Sequence, residues 1–156
     1  MNKSLLTYDI YTDGSAKGNQ YTHARGGWAY CILHDGNMVR HDSGFVADTT
    51  NQRMELQAVI EALKACESLW NPNYEYHFYS DSAYLINCYE QKWYENWERN
   101  GWVTTTRKPV SNSGLWAEII PYFRRKSFFF HKVKGHEDDY YNNYVDELAQ
   151  KAADKR

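Results

Sequence analysis

Apolar and polar positions alternate from Thr7 to Thr12, a stretch rich in β-forming residues, so the chain opens with a strand that stops at the turn-like Asp13-Gly14-Ser15. Gly27 to Leu33 and Met38 to Phe45 flank Asp35-Gly36, a dipeptide suited to a tight hairpin. The pattern then changes period. Between Asn51 and Leu69, the side chains of Val59, Ala62, Leu63, Cys66 and Leu69 fall at helical spacing, with Thr49 or Thr50 placed to cap the start. Tyr74 to Tyr79 reads as a short strand, followed at once by a helical segment from Ser82 to Cys88. Lys92 to Pro109 is Trp-rich and reads as irregular. Gly114 to Arg125 is helical, although Pro121 should end or kink it. Ser127 to Val133 reads as a strand and Val145 to Ala153 as a closing helix.

The order β-β-β-α-β-α-α-β-α predicts an α/β fold: a mixed five-stranded sheet, antiparallel meander plus parallel strands, covered by helices on both faces. The helix after the meander lets the strand at Tyr74 to Tyr79 lie parallel to the first. Asp13 and Asp81 then emerge near the carboxyl ends of adjacent strands, where open α/β sheets place their sites. A chain of 156 residues suits one core, so residues 1–156 are read as one domain. At 42% hydrophobic it is too apolar for a disordered chain. Most of the 14 Tyr and 6 Trp are therefore expected in the core or half-buried.

No apolar run is long enough to span a bilayer, and Met1 to Leu6 lacks a signal-peptide apolar core, so a cytoplasmic protein with no membrane association is expected. Cys31, Cys66 and Cys88 lie far apart in apolar segments without metal-ligand spacing, and read as reduced core thiols. The formal charge of −2 carries no global signal for nucleic acid. Contact with phosphates must come from local patches or through cations.

Four carboxylates stand out: Asp13 in Tyr-Thr-Asp-Gly-Ser, Glu55 in Asn-Gln-Arg-Met-Glu-Leu, Asp81 in Tyr-Ser-Asp-Ser-Ala-Tyr and Asp146 in Val-Asp-Glu-Leu-Ala. Singly, each has an ordinary explanation as a turn residue, a helix cap or a favourable charge in a first helical turn. Together, two strand ends and two helix starts are expected to converge on one small volume. Unpaired carboxylates there would repel and raise each other's pKa values. Hard divalent cations relieve that repulsion, and Mg²⁺ favours a few carboxylates plus water and phosphate oxygens. Two such ions about 4 Å apart activate a water and stabilise the leaving oxygen in an in-line phosphodiester cleavage.

Asp13-Gly14-Ser15 with Asn19, Thr49 to Leu56, Ser80 to Tyr84, Val133-Lys134-Gly135-His136 and Val145 to Ala149 resemble type 1 ribonuclease H, in the family's order and near its spacing. The region of Trp93, Trp97, Gly101-Trp102 and Lys108-Pro109 is similar to the family's substrate-handling protrusion, and the resemblance runs from about Tyr8 to Ala153. It implies a ribonuclease H-like fold. The implied activity is metal-dependent endonucleolytic cleavage of the RNA strand of RNA–DNA hybrids, leaving 5′-phosphate and 3′-hydroxyl ends. Asp13, Glu55, Asp81 and Asp146 would be catalytic ligands of two Mg²⁺ ions, with Mn²⁺ a substitute, and His136 a movable group for proton transfer or product release. Gly14, Ser15, Asn19, Asn51 and Gln52 match positions that grip the two strands beside the metals, and Thr50, Asn51 and Asn19 resemble the family's pocket for a DNA phosphate. Trp93, Trp97 and Trp102 would bind substrate.

The residues fit that use. A 2′-hydroxyl in the shallow minor groove marks RNA and suits small polar groups, and contact through sugars and phosphates carries little sequence preference. The partner implied is the hybrid. No obligate protein partner or dimerisation signature is evident, and a monomer is expected.

Three other readings compete: a transposase, integrase or junction nuclease of related fold, a silent nucleic-acid-binding module, and a piece of a reverse transcriptase. The Asn51-to-Glu55 motif and the His136 loop argue against the first, and the presence of all four carboxylates against the second. Met1 and the Asp154-Lys155-Arg156 end fit a free-standing protein.

The chain also departs from the family. Ala83 stands where many members carry Gln, and Glu137-Asp138-Asp139 adds acid beside His136. Arg124-Arg125-Lys126 reads as a solvated helix end or a phosphate contact. Glu95, Glu98 and Asn100 dilute the cations Lys92, Arg99, Arg107 and Lys108 in a protrusion that is strongly basic in the well-known bacterial members. Fewer released counterions predict weaker hybrid affinity and a shallower fall of log affinity with log salt. A salt titration against a strongly basic homologue checks this; an equally steep slope rules it out.

Overall fold

The computed structural model describes residues 6–18, 24–133 and 140–155. Five strands form one sheet in the order β3-β2-β1-β4-β5. β1 (Thr7–Lys17), β2 (Arg25–His34) and β3 (Asn37–Ala47) make the antiparallel meander, while β4 (Glu75–Ser80) and β5 (Phe128–Lys132) run parallel to β1. The helices are α1 (Asn51–Ser68), α2 (Ala83–Gln91), α3 (Trp93–Asn100), α4 (Ser113–Phe123) and α5 (Tyr140–Ala153).

Alternation along β2 assigns the two layers, because successive strand side chains point to opposite faces. Tyr30 and Ile32 join a core with Val59 and Leu63 of α1, Leu85 of α2 and Trp116 and Ile119 of α4. Ala29 and Cys31, one residue out of phase, pack against Val145 and Ala149 of α5. Helices thus cover both faces, and α5 crosses β1, β2 and β3. The three thiols are buried and in no disulfide, Cys31 beneath α5 and Cys66 and Cys88 in the larger core. Among the described residues no helix is long and apolar enough to cross a membrane.

Four boundaries differ from the expected ones. β1 does not stop at Asp13-Gly14-Ser15. Its parallel pairing with β4 ends at Tyr11 and Tyr79, but antiparallel pairing with β2 continues through Asp13–Ala29 to Lys17–Arg25 and keeps the segment extended. The Trp-rich stretch is not irregular throughout, since residues Trp93–Asn100 form α3. Lys92 (φ 56°) separates it from α2, and Gly101 (φ 80°) ends it. α4 runs two residues past Pro121, and α5 begins at Tyr140, ahead of Val145. Asp146 therefore lies inside the last helix and does not open it.

Two glycines let the helices approach the sheet. A Cβ on Gly14 would stand 2.2 Å from the Met54 carbonyl carbon and 2.4 Å from the Glu55 nitrogen, so α1 lies directly against the end of β1. On the other face, a Cβ on Gly27 would meet the Ala149 carbonyl oxygen at 2.1 Å. The obstacle is backbone in both cases and cannot swing aside. Gly27→Ala should push α5 off β2 and lower stability by about 1–3 kcal/mol, as overpacking does. A denaturant midpoint equal to that of the parent protein would refute the close packing.

Candidate metal and nucleic-acid site

Asp13 lies two residues beyond Tyr11 and Asp81 two residues beyond Tyr79, the last pair joining β1 to β4. Both carboxylates therefore stand where the two strands part. α1 supplies the third. The Thr50 hydroxyl accepts from the Arg53 N–H (3.1 Å) and starts the helix, placing Glu55 in its second turn over Gly14. Asp13, Glu55 and Asp81 each offer an oxygen within 4.8 Å of the other two, the one such acidic group among the described residues. From the opposite layer, α5 brings Asp146 near enough for its charge to act on Asp81. Gln150 donates to the Asp146 carboxylate at 3.1 Å.

The electrostatics reflect this crowding. Asp13 is 5% exposed, and burial, then the charges of Asp81 and Glu55, push its carboxyl far above the usual carboxylate range. A hydrogen bond to Glu55 raises it further. Burial raises Glu55 as well, against hydrogen bonds from Asp13, the Ser82 hydroxyl and the Gly14 N–H that favour its ionised form. Burial and then Asp146 raise Asp81. Such a set of hard oxygen donors, strained when ionised although the charge of Lys132 acts on Asp81, fits a divalent metal ion.

Around the carboxylates lies a polar shelf. The Ala16 N–H donates to Asn51 Oδ1 (2.6 Å), tying the tail of β1 to the first turn of α1, where Asn51 and Gln52 are exposed beside Thr50. Ser15 is half-buried next to Gly14 on β1. Asn19 and His136 lie outside the described residues. Trp93, Trp97 and Trp102 are half-buried and packed against the core. Trp97 contacts Trp102 and Trp116 at ring distances of 5.6 and 5.8 Å. Core packing and a remaining exposed edge coexist there: Trp93, Trp97, Asn96, Asn100 and Thr104 line a groove of about 130 Å³.

Several polar links were not read from sequence. Ser82, which caps α2 through the Leu85 N–H (3.1 Å), also bonds Glu55; its position before a helical segment was the available signal. Arg53 reaches Asn112 Oδ1 (3.1 Å), and the Tyr84 hydroxyl accepts from Trp116 Nε1 (3.0 Å), contacts between distant segments with no local signature. Arg124 and Arg125 are engaged within the protein, Arg124 with Glu98 and Arg125 with Glu67. This removes the simple reading of that run as a free phosphate contact.

Known proteins place this α/β sheet, with carboxylates where its central strands part, in a family. The RNase H family model matches residues 6–154. A ribonuclease H of Chlorobium luteolum is 44% identical over 147 residues, covering 94% of this chain and 95% of that protein. One of Syntrophomonas wolfei is 46% identical over 143 residues, covering 92% and 93%. LC9-RNase H1, described as a type 1 RNase H with the type 2 active-site motif, superimposes with a TM-score of 0.79 at 27% identity, over 94% of this chain and 72% of that one. LC11-RNase H1, solved in complex with an RNA/DNA hybrid, shares the fold with a TM-score of 0.70 at 23% identity, over 94% and 96% of the two chains. The chain belongs to the RNase H family.

The metal-free protein should titrate accordingly. The clustered carboxyls have folded values above the ordinary range near 4, so the native state binds more protons than the unfolded chain in the window above about pH 4. Stability without metal falls as pH rises through that window. Asp13→Asn removes the buried carboxyl, flattens the slope and should stabilise the metal-free protein at pH 7 by about 1–3 kcal/mol. Urea unfolding in chelator at pH 5 and pH 7.5 reads both effects; a variant no more stable than the parent at pH 7 contradicts the repulsion.

Proposed function

We propose that the protein is a ribonuclease H that hydrolyses the RNA strand of RNA–DNA hybrids with little sequence preference, residues 1–156 acting as one domain. The observation that carries this reading is the meeting of Asp13, Glu55 and Asp81 at the parting of β1 and β4 in a chain of this family. Those three and Asp146 would hold Mg²⁺, with Mn²⁺ a substitute. Bound by these carboxylates, such cations would supply an activated water and charge stabilisation for the leaving 3′ oxygen.

The chain's own groups do the rest. The carboxylates must be ionised to act. Asn51 and Gln52, exposed on the first turn of α1, present amide donors and acceptors to sugar hydroxyls and base edges, with Ser15 and the Gly14 backbone on the other side. Thr50, Asn51 and Asn19 would take a phosphate of the DNA strand, and Trp93, Trp97 and Trp102 its sugars. His136 would carry a proton at a ring nitrogen near neutral pH.

An end-labelled hybrid incubated with and without Mg²⁺, beside matched DNA and RNA duplexes, tests the reading. Only the RNA strand of the hybrid should be cut, with 5′-phosphate ends. Asp13→Asn should lose more activity than the roughly 10–100-fold that changes around a ligand cost. Folded parent protein that cuts nothing with Mg²⁺ or Mn²⁺ would leave a binding module as the better account.

A further inference from the structure

The Trp-rich helix α3 is held by a contact on the side away from its groove. Tyr94 and Glu98, one turn apart, share a face roughly a third of the way round the helix from Trp93, Asn96, Trp97 and Asn100, which line the groove. On that second face Arg124, just past the end of α4, bonds Glu98 through its two terminal guanidinium nitrogens, Nη1 to Oε2 at 3.0 Å and Nη2 to Oε1. The same guanidinium lies 4.9 Å from the ring centre of Tyr94, which is 4% exposed. One arginine thus grips two residues of an eight-residue helix that has no side-chain cap at its start. Glu98 is therefore not an acid directed at substrate phosphates.

We infer that Glu98 and Arg124 are positioning residues that fix the tilt of α3 and so the spacing of its groove-lining tryptophans for the nucleic acid. The inference rests on the hybrid-binding reading above. Exposed ion pairs contribute little on average, but a two-point Arg–carboxylate contact stacked on a buried aromatic ring is the arrangement in which they matter. The hydrogen bond from Arg124 holds the Glu98 carboxyl below its ordinary range, so the pair stays charged at any pH at which the enzyme would work.

Two accounts of Glu98 predict opposite signs for Glu98→Lys. If the residue only weakens the field seen by phosphates, adding positive charge lowers KM for hybrid at low salt. If it clamps α3, lysine faces Arg124, the helix loosens, and KM rises about five- to tenfold with kcat at saturation little changed. The paired exchange Glu98→Arg with Arg124→Glu keeps the net charge and should return KM to within about twofold of the parent. Amide hydrogen exchange across residues 93–100 should quicken in Glu98→Lys and slow again in the paired exchange. A lower or unchanged KM in Glu98→Lys, or no recovery in the exchange variant, overturns the inference. A parent protein that does not cleave hybrid overturns the functional reading instead, and hydrogen exchange still decides whether the clamp exists.

Discussion

Carboxylates of Asp13, Glu55 and Asp81 crowd together where β1 and β4 separate, and burial makes their repulsion expensive. Most of the surrounding architecture holds them there. β1 continues past its parallel partner because β2 still pairs with it, so Asp13 is fixed on extended backbone. α1 touches the strand end because residue 14 has no side chain, and this contact delivers Glu55. α5 lies on the opposite face and adds the charge of Asp146. Folding in this protein assembles an arrangement that is unfavourable by itself and becomes favourable with a cation, which is how binding energy and catalytic geometry come to be linked.

Much of this was legible in the chain, for local reasons. Alternation between Thr7 and Thr12 and the helical spacing of Val59, Ala62, Leu63 and Cys66 follow from burial on one face, and a reader of periods finds them. The carboxylates were found by motif, and Asp13, Glu55 and Asp81 meet. What was misread depends on partners distant in sequence. Asp13-Gly14-Ser15 has turn chemistry, yet pairing with β2 overrides it. α3 escaped because its surface is aromatic and charged all round, with Tyr94 its one buried residue and Arg124 its holder. The start of α5 escaped because Tyr140 to Tyr144 is polar and aromatic, although Asn142 is buried.

The aromatic residues divide between two tasks. On the face of β4 and β5 away from α1, Tyr11, Tyr79 and His131 stack in sequence across strands, at ring distances of 4.9 and 5.1 Å. His77 Nδ1 and His131 Nε2 are 2.8 Å apart, and Glu75 meets the other nitrogen of His77 at 2.9 Å. These contacts bind the parallel strands side by side. The tryptophans of α3 and the following loop instead build a ledge that is anchored in the core and open at its edge.

The distribution of the thiols has a further consequence. Burial raises Cys66 well above its usual pKa and Cys88 to about 12, so in the native state these sulfurs stay protonated and unreactive. Cys31 belongs to the layer under α5, whereas Cys66 on α1 and Cys88 on α2 belong to the larger core on the other face. The three sulfurs are thus built-in clocks for different openings. A thiol reagent that reaches Cys31 first times the lifting of α5, and one that reaches Cys66 first times the loosening of the main core. Equal rates at all three would mean that the two layers come apart as one unit.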